Sequence, residues 1–134
     1  MIQESLRTLA VELSKALTIE APSENERVTV AVYDEMRGQL AAAVPEGFGL
    51  RVLTQDRYNY FLMHPPTQVI FATGRWAQSN VRLATPGAWK LHVCLANQKG
   101  SDWFDARARA SDWSGFPDLP PGTEIIGSVQ VKWE

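Results

Sequence analysis

The hydrophobic spacing of this chain changes period at Gly47. Before it, apolar residues recur every three or four positions, and after it they alternate with polar ones. Such a pattern asks for helix first and sheet second, each with one apolar face to bury.

Ile2, Leu6, Leu9, Leu13 and Leu17 fall on one helical stripe, with Glu4, Arg7, Glu12 and Lys15 off it. Pro22 ends that pattern. Ser23 and Glu26 then read as an S-x-x-E capping box, with Glu24 and Glu26 suited to the positive end of a second helix. Val28, Val32, Met36 and Leu40 supply its stripe, and Pro45 and Gly47 close it. The expectation is a two-helix hairpin over residues 1–44.

Beyond Gly47, Phe48, Leu50, Val52 and Thr54 alternate with Gly49, Arg51, Leu53 and Gln55, as in a strand. Gln55, Asp56 and Arg57 can turn the chain into a second strand over 58–63, stopped by Pro65 and Pro66. Further strands are predicted over 69–73 and 89–96. In the last one Ile125, Val129, Val131 and Trp133 alternate with Ile126, Ser128, Gln130 and Lys132. Residues 74–88 and 98–122 read as long connections, the second with a short helix over 102–110. The fold class that follows is α+β: one domain over 1–134 in two layers. The N-terminal two-helix hairpin packs on a four- to five-stranded, mainly antiparallel sheet over 48–134.

The totals set the compartment and exclude several chemistries. With 134 residues, 45% apolar, the chain can bury a core without staples. Its single cysteine, Cys94, allows neither an intrachain disulfide nor a multi-Cys zinc site. The start, MIQESLRTLA, is not a secretory signal, and no apolar run could span a bilayer. The expected location is cytoplasmic, with no membrane partner. Neither a P-loop nor a G-x-G-x-x-G or G-x-S-x-G motif occurs.

His92 and Cys94 share a strand face but stand about 7 Å apart, too far for a thiolate pair, so a packed cysteine is expected. His64 and His92 alone leave a metal site incomplete. Asp102, Asp105, Asp112 and Asp118 surround Trp103 and Trp113, a grouping a glycosidase could use. Helix capping by Asp102 and an Asp105–Arg109 pair account for it more simply. No catalytic set, metal or cofactor is predicted.

Charge is segregated. No acid occurs between Asp56 and Asp102, a stretch holding Arg57, Arg75, Arg82, Lys90 and Lys99 with Trp76 and Trp89. Residues 1–44 instead carry seven acids against four bases. Arg75, Trp76, Arg82, Trp89 and Lys90 are therefore the predicted binding residues, facing another protein with an acidic surface. In size, make-up and lack of a catalytic set the chain resembles in general style bacterial immunity proteins that neutralise a toxin. Two other functions compete: a small-molecule-binding or hydrolytic enzyme with its pocket between sheet and long loops, and a single-stranded nucleic-acid binder using the basic sheet region.

Overall fold

The computed structural model describes residues 2–29, 32–64, 68–70 and 74–133, and strand is the commoner regular structure among them. The order is α1 (Ile2–Ala16), β1 (Leu17–Ala21), β2 (Glu26–Val28), β3 (Val32–Leu40), β4 (Gly49–Gln55), β5 (Phe61–Met63), β6 (Gln68–Ile70), β7 (Arg75–Arg82), β8 (Gly87–Ala96), α2 (Gln98–Arg109) and β9 (Thr123–Trp133).

The first helix forms where the leucine stripe places it. Leu6, Ala10 and Leu13 are buried and Leu9 packs against them. The second helix does not form. Residues 26–28 and 32–40 are strands instead, so the hairpin over 1–44 gives way to a single helix. Val32, Met36 and Leu40 lie four apart, and four is both near one helical turn and a multiple of the strand period. The β-branched and aromatic run around Val28, Thr29, Val32 and Tyr33 favours the strand. Half of the capping box is made: Ser23 N donates to Glu26 Oε1 at 3.0 Å. It closes a turn, not a helix, because Glu26 N also donates to the Ser23 carbonyl and Asn25 takes φ 61°.

Two sheets result, ordered β1-β3-β7-β6 and β2-β9-β8-β4-β5. The pairings are antiparallel except β2 with β9, which run parallel. Their facing sides share one core. Met36, Leu40, Trp76 and Val81 come from the first sheet, and Leu50, Val52, Leu91, Val93, Val129 and Val131 from the second, with α1 adding Leu6 and Leu13. Gly38 opposes Trp76 in the ladder, and a Cβ there would lie 2.7 Å from the indole. Only glycine leaves room for that ring.

The other side of the five-stranded sheet carries a second cluster: Leu53, Phe61, Met63, Cys94, Phe104 and Phe116. Central β8 is thus covered on both faces, which explains its near-continuous apolar run, Leu91 and then Val93 to Ala96.

Three further differences from the sequence pattern have local causes. The expected connection 74–88 is mostly β7, whose alternation is broken where Asn80 takes φ 54°, so burial falls on 76, 78 and then 81. The helix in 98–122 starts four residues early because Asn97, not Asp102, caps it: Asn97 Oδ1 accepts from Gly100 N at 3.0 Å. Ile126 is buried and Ile125 exposed, because a bulge opposite Val93 and Cys94 shifts the early part of β9. Pro65, Pro66 and residues 71–73 of the expected third strand lie outside the described residues.

Candidate functional site

The five residues chosen from sequence do not share a surface. Trp76 and Trp89 are core residues, exposed by 1% and 2%, with indole N–H groups donating to the Gln39 and Thr85 carbonyls. Arg82 donates to the carbonyls of Met63 at 3.0 Å and Trp113 at 3.2 Å, so its guanidinium ties loops together. Arg75 is exposed at the far end of the same strand, about 23 Å away at the usual rise per residue. Segregation of charge along the sequence therefore does not make one patch of these residues. Lys90 alone gains new neighbours.

Those neighbours come from strands distant in sequence. On the outer side of the five-stranded sheet, Lys90 pairs with Gln130, Ala88 with Lys132, and Lys132 with Arg27. Arg27 thus stands directly opposite Lys132, with Lys90 diagonal to Lys132 on the same face, and all three are exposed. Lys90 also pairs with Gln55, at the end of β4. The next turn, residues 56–60, is tightly tied: Asp56 Oδ1 accepts from Tyr58 N at 2.9 Å and Tyr60 N at 3.0 Å. Asn59 N donates to the Asp56 carbonyl and Asp56 N to the Tyr60 carbonyl. This turn holds Tyr58 and Tyr60 in solvent, 67% and 49% exposed, with Arg57 stacked 5.0 Å over the Tyr58 ring.

Between the exposed cations and the cluster under α2 lies a cavity of about 250 Å³, lined by Glu24, Lys90, His92, Ser128, Val129 and Gln130. His92, 5% exposed, sits at its boundary. Its Nδ1 is 2.6 Å from Ser128 Oγ and its Nε2 is 2.8 Å from Gln55 Oε1. A carbonyl oxygen can only accept, so Nε2 carries the proton and donates to Gln55, and Nδ1 accepts the Ser128 hydroxyl proton. Phe61 flanks the ring at 5.9 Å. Burial, aided by the Lys90 charge, pushes the His92 pKa down to about 4. The imidazole is neutral at pH 7.

The remaining candidates have other partners. His64 lies against Thr54, 3.4 Å from its hydroxyl, and burial with the nearby Arg82 charge pushes its pKa down to about 3. It does not face His92. Cys94 is fully buried, and burial raises its thiol well above the ordinary value. Asp112 accepts from the Ser114 hydroxyl and backbone N–H, which hold its carboxyl below the ordinary range, the reverse of what a general acid needs. Asp105 pairs with buried Arg51 at 3.0 Å, not with Arg109. Trp103 packs on Phe104 and Phe116. Among the described residues no group of three or more His, Cys, Asp and Glu is placed to hold a metal ion. No helix among them is long and apolar enough to cross a membrane.

The sequence signalled the polar row Ser128, Gln130 and Lys132, because that face of the last strand alternates cleanly. It gave no sign that Arg27 and His92 join that row, since cross-strand pairing is non-local.

Comparison with known proteins agrees with the fold and goes no further. No protein-family model matches the chain, and no curated protein matches its sequence. Among solved structures, the crystal structure of CopC from Methylosinus trichosporium OB3b is similar. The TM-score is 0.51 at 10% identity, and the match covers 88% of this chain and 91% of that one. At that identity the likeness is one of fold alone.

Proposed function

We propose that this protein is a small binding module that docks an acidic protein segment on the open half of its five-stranded sheet. The observation that supports the reading is that Arg27, Lys132 opposite it and Lys90 diagonal to Lys132 share one sheet face, beside a turn that presents Tyr58 and Tyr60. Arg and Tyr are the side chains that anchor interfaces, and a turn already fixed by hydrogen bonds loses little entropy on binding. A toxin held by an immunity-type protein is one instance of such a partner. A cytoplasmic location is part of the proposal, and the unpaired Cys94 is compatible with it.

The test uses a labelled Glu/Asp-rich peptide, its Gln/Asn counterpart, and single-stranded DNA and RNA, each titrated at several salt concentrations. The acidic peptide alone is expected to bind at low salt, and to bind at least tenfold more weakly to the Lys90→Glu, Lys132→Glu double variant. An oligonucleotide that binds more tightly than the peptide, with a steep salt slope lost in the double variant, would transfer the site to nucleic acid. Absence of binding by either probe at low salt overturns the electrostatic reading.

A further inference from the structure

We propose that Ser128 is an acyl acceptor, a nucleophile served by His92 and acting on small carboxylic esters that enter the cavity on the open sheet face. A serine hydroxyl becomes nucleophilic when a neutral base holds its proton and a third group fixes that base in the right tautomer. Here the Ser128 hydroxyl meets His92 Nδ1 at 2.6 Å, and Gln55 Oε1 holds the Nε2 proton at 2.8 Å. The three side chains come from β9, β8 and β4, neighbouring strands of one sheet, so the backbone ladder fixes their spacing. Ser128 is exposed and lines the 250 Å³ cavity together with His92, so a reacting carbon can reach Oγ. Lys90, on the same cavity wall, supplies a cation for the oxygen that becomes negative.

The reaction balances without a cofactor. As Oγ bonds to the ester carbonyl carbon, its proton passes to His92 Nδ1. Collapse breaks the bond to the leaving oxygen, which takes that proton and departs as an alcohol. Water then repeats the sequence on the serine ester: its proton goes to Nδ1, its oxygen bonds to carbon, and Ser128 Oγ leaves carrying the proton. Ester and water become acid and alcohol. The charged groups facing His92 are Lys90 on its own strand and Glu24 across the cavity, while Gln55 and Ser128 are neutral. With an amide where a carboxylate would be stronger, the imidazolium is costly, so activated esters are the expected substrates. Gln55 is a positioning residue.

The test treats the folded chain with p-nitrophenyl acetate and follows acetylation by intact mass and peptide mapping. The expected result is a single adduct on Ser128, formed about a hundredfold faster than in the urea-unfolded chain, in line with general-base assistance. Ser128→Ala removes it. Gln55→Glu places a carboxylate on Nε2 and should move the midpoint of the rate–pH profile upward, which a merely structural glutamine would not do. The native-to-unfolded ratio needs no variant, so the proposal stays testable if a substitution fails to fold. Labelling confined to lysines, or Ser128 labelling no faster when folded than when unfolded, overturns it. Loss of acidic-peptide binding in the Lys90→Glu, Lys132→Glu variant bears only on the docking reading, since that experiment does not involve Ser128 acetylation.

Discussion

The two halves of the outer face of the five-stranded sheet are built from the same strands and do opposite things. Under α2, Arg51, Leu53 and Cys94 are buried with Phe61, Phe104 and Phe116. Arg51 is held there by Asp105, which meets it at 3.0 Å, and by the Phe104 ring 5.1 Å beneath its guanidinium. Arg107 is sandwiched likewise, 4.9 Å from Trp103 and 5.1 Å from Phe116. A few residues along the strands, Lys90, Ser128 and Lys132 are exposed. Cations in the covered half are spent on holding the cover, while Lys90 and Lys132 in the open half face solvent. His92 marks the boundary, with a buried ring and a bond to an exposed serine.

The comparison makes a stability ladder. Phe104→Ala, which empties the centre of the covered half, should cost about 3–5 kcal/mol, and urea unfolding measures it. A cost below about 1 kcal/mol would mean that α2 does not seal the sheet.

Acid should act next most strongly, through the two buried histidines. Both fold with pKa values pushed down, to about 3 for His64 and about 4 for His92, from an unfolded value of 6.5. The folded state therefore favours the neutral rings. Their stabilisation is complete above pH 6.5 and is lost as pH falls toward 4 and then 3. At about 1.4 kcal/mol per pH unit per group, stability at pH 5 should be about 3–4 kcal/mol below that at pH 7.5. Urea unfolding at both pH values tests this, and His92→Gln should roughly halve the dependence.

A smaller loss is expected for Asp105→Ala, which leaves the buried Arg51 guanidinium without its carboxylate: about 1–3 kcal/mol. At the bottom of the ladder, Lys90→Ala and Lys132→Ala should each stay within about 0.5 kcal/mol of the parent. Thermal unfolding of the pair would dissolve the contrast between the halves if either variant lost as much as Phe104→Ala.

How much of this was legible in the chain follows from the range of each interaction. Leu6, Ala10 and Leu13 declare α1 because a helix is satisfied by its own neighbours, and their burial needs only a partner of any kind. The strands β4 and β9 announce themselves by alternation, and the apolar run Val93 to Ala96 in β8 marks a strand covered on both sides. Residues 32–40 could not be assigned in this way. A spacing of four serves helix and strand alike, and the decision rests on β3 pairing with β1 and β7 and on Gly38 receiving Trp76. The candidate site was beyond local reading for the same reason. Trp76 and Trp89 are equally plausible as core or anchor until their sheets are stacked, and Arg27 meets Lys132 across 105 positions of sequence. Composition and periodicity determined that this chain pairs helix with sheet around an apolar core. Which cations stand together, and which serine meets a histidine, were decided only when strands far apart in sequence paired, because ladder register is set by non-local hydrogen bonds and packing.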